Sequence, residues 1–450
     1  MKILRADYVL PISSEPIRGG AVAVDGDMIA AVGAADIIRI QFPEAAEDDL
    51  GHVAILPGFV NCHSHLEITA MRGYLDSVEH DFYSWLMKLT RTRADVLSDE
   101  DIEVAALAGA VEGARAGVTC FGDIGRYGRA GFEALKKAGL RGVLFQETEF
   151  SPSDVVADDA LAKLKDKFIE LREQQAPLVE VGISPHAPYT VSPALFEKIG
   201  RLAVDEKIKI TIHAAESAEE DELLRCGTGY FKKIYDNLGI EWNAPRVSPI
   251  ELLLSTGVLD ARPLLAHCVR VSERDIEIIE ATGAKVAHCP KSNAKFGHGY
   301  APLEKFLDAG IAVGLGSDSV ASNNACDLLE EARFAALAAR NRPDRLRFIS
   351  AAEVLEASTL GGARALGLDK ITGSLNAGKQ ADLAVVSLAN MAQQPVNDIS
   401  SALVFSSAAR DVVMTMVAGE VVYRHGRSAL VDETELLRKT QAIGDKIIGN

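Results

Sequence analysis

Short β-branched apolar runs alternate with amphipathic stretches through most of the chain, and each run ends on polar side chains. The runs are Ile55–His65, Val118–Asp123, Arg141–Glu147, Val179–His186, Ile208–Glu216, Leu264–Val269, Lys285–Pro290 and Ile311–Asp318. Between them, segments such as Gly131–Ala138, Asp158–Gln174, Pro193–Val204, Glu273–Ala281 and Asp327–Ala339 carry helical spacing. Strand–helix alternation predicts parallel pairing through crossover helices. Eight such units predict an α/β fold, a (β/α)8 TIM barrel with its functional groups at the C-terminal strand ends. The flanks read differently. Ala21–Ile29 predicts two strands about an Asp25-Gly26 turn, and Val412–Val417 with Val421–Tyr423 predicts a second hairpin. Neither flank is large enough for a good core. One discontinuous β-sandwich from residues 1–57 and 370–430 is therefore expected, with the barrel over 58–369. A terminal helix, Glu433–Ile448, is expected within 431–450.

The barrel rule can be checked against the strand ends, which carry His63, His65, Asp123, Glu147, His186, His213, Glu216, His267, His288 and Asp318. Six of the ten histidines fall at these positions; His52, His80, His298 and His425 have no such placement and are expected on the surface. His63-Ser64-His65 is the sharpest feature, because residues i and i+2 of a strand share a face and two imidazoles there can converge on one ion. The apolar approach Ile55, Leu56, Phe59 and Val60 implies a buried strand whose histidines need partners. His213 on strand five and Asp318 on strand eight complete a candidate set. Three imidazoles and a carboxylate suit Zn²⁺ or Fe²⁺, and ligand type alone does not choose between them; one divalent metal is expected, with Zn²⁺ the metal carried forward. Glu216, three residues after His213, is placed to move a proton from a bound water, although the acidic run Glu219–Glu222 beside it reads as solvated. His267 is placed to hold the attacking water or polarise the bond being broken. In two-metal hydrolases of this architecture a lysine ends strand four; here Ser184-Pro185-His186 stands there, so one metal is expected.

Composition narrows the partners. The 450 residues are 48% hydrophobic and 25% charged, with a formal net charge of −17, which argues against nucleic acid or an anionic membrane. The six cysteines form no Cys-x-x-Cys pair and read as small apolar core residues. No run approaches the ~20 apolar residues of a membrane span, and the charged N-terminus does not read as a signal peptide. A small-molecule substrate and a cytoplasmic location are expected, and homo-oligomerisation is left open. The segment Arg225–Leu259 is long for a loop in this fold. With Tyr230, Phe231, Tyr235 and Trp242, and with Gly227, Gly229 and Gly239 for freedom, it reads as a lid over the barrel mouth.

Four motifs carry a resemblance: Pro57-Gly58-Phe59-Val60-Asn61-Cys62-His63-Ser64-His65, His213-Ala214-Ala215-Glu216, His288-Cys289-Pro290-Lys291-Ser292-Asn293, and Gly316-Ser317-Asp318-Ser319 onward to Asn324. Together with Gly378-Lys379-Gln380-Ala381-Asp382-Leu383 near the C-terminus, they resemble the amidohydrolase superfamily over nearly the whole chain. The branch is the one holding nucleoside and nucleobase deaminases and triazine chlorohydrolases. The resemblance implies that His63, His65, His213 and Asp318 ligate the metal, with Glu216, His267 and Asp318 in proton transfer. It also implies that His186 contacts substrate and that Trp85, on the first loop, stacks over it; Glu147, His288 and Asn324 are expected around the same substrate. Within the branch the likeness is to deaminases of adenine-bearing nucleosides, of the S-adenosylhomocysteine/methylthioadenosine and aminodeoxyfutalosine (menaquinone biosynthesis) kinds. Leu66-Glu67, Phe145-Gln146-Glu147 and the segment Arg225–Leu259 lean toward the latter. An arginine would be expected at the end of strand three in the former, and Ser319 departs from the glycine common there.

Overall fold

The computed structural model describes residues 1–174 and 176–449. Eight parallel strands form its centre. Phe59–Ser64, Val118–Gly125, Arg141–Glu147 and Val179–Ser184 make one four-stranded sheet, and Thr211–Ala214, Leu264–His267, Lys285–His288 and Val313–Leu315 make another. Parallel bridges close both seams, Ser64 to Asp318 and Ile183 to Ile210. The eight strands thus form a TIM barrel, numbered here one to eight in chain order. Its interior is apolar below the mouth, with Val60, Cys62, Cys120, Val143, Phe145, Ala266 and Ala287 in one buried cluster.

Outside the barrel, Lys2–Val9, Ile17–Asp25, Met28–Ala34, Ala46–Asp49 and Val53–Pro57 join Leu383–Ser387, Val412–Val417, Glu420–Arg424 and Arg427–Ser428 in one nine-stranded sheet. The two ends of the chain meet where Ile55 pairs with Val385. A connected core of Leu4, Val22, Ile55, Leu383, Val385 and Met414 runs through both contributions.

The expected first strand, Ile55–His65, is in fact two strands. Val53–Pro57 belongs to the outer sheet and Phe59–Ser64 to the barrel, with Gly58 between them. A Cβ at Gly58 would lie 2.1 Å from the Thr119 side chain, so only glycine lets the chain pass from one sheet to the other here. Beside this junction Arg141, opening strand three, makes an ion pair of 2.7 Å with Asp382, both side chains buried. The Asp382 carbonyl also accepts from Gly58 N (2.9 Å), and its carboxylate accepts from Ala418 N (2.8 Å). The Gly378–Leu383 motif is the pin between sheet and barrel, at the end of the barrel away from the polar strand ends.

The expected helices are present with small shifts in their ends, including Glu433–Ile448. Two further helices, Phe82–Asp95 and Asp99–Arg115, precede strand two; a capping box at Ser98, with Asp101 in return, starts the second. Among the described residues no helix is long and apolar enough to cross a membrane.

Candidate functional site

The chemistry lies at the last residues of the strands, His63, His213 and His267, and just beyond them. His65 follows strand one, His186 lies two residues past strand four, Glu216 lies past strand five, and Asp318 lies past strand eight. His267 and Asp318 adopt left-handed backbone, with φ of 74° and 55°. Such conformations cost about 1–3 kcal/mol and persist where the surroundings over-determine them. Here they turn two side chains inward at the mouth.

Four side chains, His63, His65, His213 and Asp318, meet over the barrel axis. His65 Nε2 stands 3.3 Å from His213 Nε2, and Asp318 Oδ1 stands 3.4 Å from His63 Nε2 and 3.6 Å from His65 Nε2. The donor nitrogens of His63, His65 and His213 lie within 4.8 Å of one another. Donors at ~2.0–2.1 Å from a tetrahedral centre are about 3.3–3.4 Å apart, so these spacings fit the edges of one coordination shell. Both ring nitrogens of His63 are buried without a hydrogen-bond partner. Burial lowers the pKa of all three imidazoles, that of His65 to about 4, and leaves them neutral donors. His213 Nδ1 donates to the His186 carbonyl (3.0 Å), which turns its Nε2 lone pair toward the cluster. Asp318 Oδ2 accepts from Ser292 Oγ (2.6 Å) and Ser322 Oγ (2.8 Å), leaving Oδ1 facing the histidines. Burial opposes ionisation of Asp318, but the close approach of His63 and the other nearby imidazoles prevails and holds it well below the carboxylate range. The donor set fits a divalent cation.

Glu216 borders the same space, buried, with Oε1 3.7 Å from His267 Nε2. Burial lifts its carboxyl to about 7. His267 Nδ1 lies 2.9 Å from the Asn293 amide oxygen, to which it donates, so its Nε2 faces Glu216. Beneath, Glu220 is fully buried and accepts from Glu216 N (2.9 Å); burial lifts it to about 8. The acidic run after Glu216 is therefore not wholly solvated, as the sequence suggested, but sends one carboxyl inward to hold its backbone.

His298 corrects another expectation. Its ring is only 5% exposed, and its Nε2 lies 3.7 Å from Glu216 Oε1. Phe82 and Phe296 pack on it, with ring centroids 4.9 and 5.1 Å away. The chain turns back over the mouth through Gly297 and Gly299, both at positive φ. That glycine pair was the available signal, and the strand-end rule passes over it because His298 follows a helix, Pro290–Lys295, not a strand.

The cavity above the cluster holds about 670 Å³, its open mouth included. Glu147 and His186 line it on one side and Glu216 and His267 on the other; Trp85, Leu86, Leu89 and Phe296 form its outer wall. Trp85 stands on the helix Phe82–Asp95, not on an irregular loop. His186 Nδ1 lies 2.8 Å from Thr190 Oγ1, and its Nε2 is 3.9 Å from Glu147. Two expected contacts lie elsewhere. His288 is buried but does not line the cavity. Asn324 is engaged with Lys295 (2.6 Å) and Asp76 (2.9 Å), also outside the lining. The segment Arg225–Leu259 contributes no lining residue either. It holds the helices Gly229–Asn237 and Pro249–Ser255. Phe231 stacks on Tyr189 (4.2 Å) and Tyr235 donates to the Tyr189 carbonyl (2.9 Å), so the segment supports the cavity wall from behind.

Residues 54–422 match the family model described as the amidohydrolase family. A 5-methylthioadenosine/S-adenosylhomocysteine deaminase of Desulforudis audaxviator is 32% identical over 446 residues, 99% of each chain. A zinc-bound adenosine deaminase structure from Xanthomonas campestris superposes with a TM-score of 0.88 at 28% identity, covering 100% of this chain and 99% of that one. The aminofutalosine deaminase of Helicobacter pylori, in complex with methylthio-coformycin, superposes with a TM-score of 0.78. At 23% identity, over 94% of this chain and 100% of that one, this second likeness speaks to the fold alone.

Proposed function

This chain belongs to the amidohydrolase family, and from that premise we propose that it is a metal-dependent hydrolase that removes the amino group of an adenine-bearing nucleoside as ammonia. The observation that carries this reading is Glu216, buried and held at 3.7 Å from His267 beside the cluster of three histidines and Asp318. His63, His65, His213 and Asp318 would hold the metal, Zn²⁺ in the first place. A divalent cation there supplies a Lewis acid that brings the pKa of a bound water from ~15.7 toward ~7.

The chain's own groups handle the protons. Glu216, poised at about 7, takes a proton from the attacking water and passes it to the purine ring nitrogen beside the amino-bearing carbon. His267 and Asp318 then steer collapse: the carbon–nitrogen bond breaks, the amine leaves with a second proton as ammonia, and a ring carbonyl remains. His186 and Glu147 contact the nucleoside from the strand-three and strand-four side, and Trp85 covers its base.

The finer reading is an aminodeoxyfutalosine deaminase of menaquinone biosynthesis. It rests on Glu67 and Gln146, which replace the groups expected of the S-adenosylhomocysteine/methylthioadenosine enzymes. Those enzymes share the chemistry and are the second reading, favoured by the 32% identity over the full length. An ammonia-release assay over adenosine, methylthioadenosine, S-adenosylhomocysteine and aminodeoxyfutalosine decides among them, with chloride release from a chlorinated triazine run beside it. The highest kcat/KM is expected on aminodeoxyfutalosine. Chloride but no ammonia would replace the deaminase reading altogether.

A further inference from the structure

Two arginines line the cavity without a partner. Arg93, on the helix Phe82–Asp95, and Arg126, just past strand two, both border it and are half-buried. Among the described residues neither guanidinium makes a hydrogen bond or ion pair. This is unusual in a chain of net charge −17 whose cavity also holds Glu67 and Glu147. A guanidinium taken part-way out of water costs free energy unless an anion meets it.

The loop bearing Arg126 is built rather than loose. Buried Glu67 accepts from the backbone N–H groups of Arg126 (3.1 Å), Tyr127 (3.0 Å) and Gly128 (2.8 Å). Gln146 Nε2, on strand three, donates to the Arg126 carbonyl (3.0 Å). Both groups serve to fix one backbone segment at the cavity wall, and that segment aims one arginine. Arg93 lies within electrostatic reach of Glu67, and both arginines within reach of His186. The arginines stand on the side of strands one to four, whereas Glu216, His267 and His298 stand on the side of strands five to eight. A substrate with its reacting ring at Glu216 therefore extends its other end toward the arginines.

We propose that Arg93 and Arg126 form an anion-recognition subsite for an oxyanion, carboxylate or phosphate, borne by the substrate at the end remote from its reacting ring. Two planar guanidinium forks suit either group. The inference deepens the deaminase reading and rests on it for the orientation of the substrate.

The test compares matched probes. One pair is 5′-S-(2-carboxyethyl)-5′-thioadenosine and its methyl ester; the other is adenosine 5′-monophosphate and adenosine. Wild-type enzyme should prefer at least one acid over its neutral partner by about 10–100-fold in kcat/KM, the range of a charge-assisted contact. Whichever acid shows the larger preference identifies the anion. Arg93→Gln and Arg126→Gln should each erase most of that preference, and Arg126→Lys should restore part of it by returning charge without the fork. No preference in the wild type, or an unchanged preference in both glutamine variants, overturns the subsite. If the wild type deaminates none of the four and releases no ammonia from methylthioadenosine, S-adenosylhomocysteine or aminodeoxyfutalosine either, the deaminase reading falls separately. The same ratios are then read as dissociation constants from fluorescence of Trp85, which borders the same cavity.

Discussion

His298 Nε2 lies 3.7 Å from Glu216 Oε1, the same oxygen that His267 Nε2 approaches at 3.7 Å. Burial lowers the His298 ring to about 3, so it stays neutral, and its Nε2, buried without a hydrogen-bond partner, faces the carboxyl. Replacing His298 by Ala should lower kcat about tenfold. It should also move the acidic limb of the kcat/KM profile to higher pH, because removing a polar ring beside the carboxyl leaves its charged form less favoured. Rate profiles from pH 5 to 9, with zinc content measured alongside, check this. A limb that does not move would leave His298 as packing between Phe82 and Phe296.

Glu216→Gln should keep metal and substrate affinity while kcat falls about 10²–10⁴-fold, the range of a general acid–base group. In the parent enzyme the carboxyl is lifted to about 7, and the reaction consumes its deprotonated form. Activity should therefore rise through about pH 7 and flatten above it. Loss of zinc from the glutamine variant would make Glu216 a ligand and overturn its assigned role.

Chelation should abolish turnover, and one equivalent of Zn²⁺ per chain should restore it. His213→Ala and Asp318→Asn should each fail to recover activity on added zinc, since each removes a corner of the donor set. Elemental analysis of the reconstituted protein decides the stoichiometry. Two tightly held ions per chain would require a second site that the serine and proline before His186 do not provide.

Asp382→Ala should destabilise the fold by about 3–5 kcal/mol, the cost of leaving a buried partner such as Arg141 unpaired. Denaturant unfolding measures it. Because the pair lies at the far end of the barrel, KM of the folded fraction should change little compared with stability.

Much of the site was legible because a strand imposes a period of two and a barrel puts strand ends in one place. His63 and His65, His213, His267 and Asp318 follow from those two rules. The rules say nothing about side chains reaching the mouth from helices and turns. Trp85 and Arg93 stand on a helix that the pattern does not announce, and His298 arrives through a double glycine turn. Glu220 looks solvated among its acidic neighbours, yet its position on the short helix Ala218–Asp221 buries it under Glu216. The aromatic segment Arg225–Leu259 was legible as apolar surface, but which face it would cover depends on Tyr189, distant in sequence and already in place.

The pairing of Val53–Pro57 with Leu383–Ser387 also orders events at the ribosome. The earlier strand is made first and has no partner on that edge until more than three hundred further residues are added, a delay on the order of tens of seconds at ~5–20 residues per second. During that interval an apolar edge is open to pairing with other nascent chains. Late-made residues thus shield early-made ones. A message broken before the codon for Leu383 would yield a polypeptide with all eight barrel strands and an uncovered seam, material for proteases and chaperones rather than a smaller working enzyme.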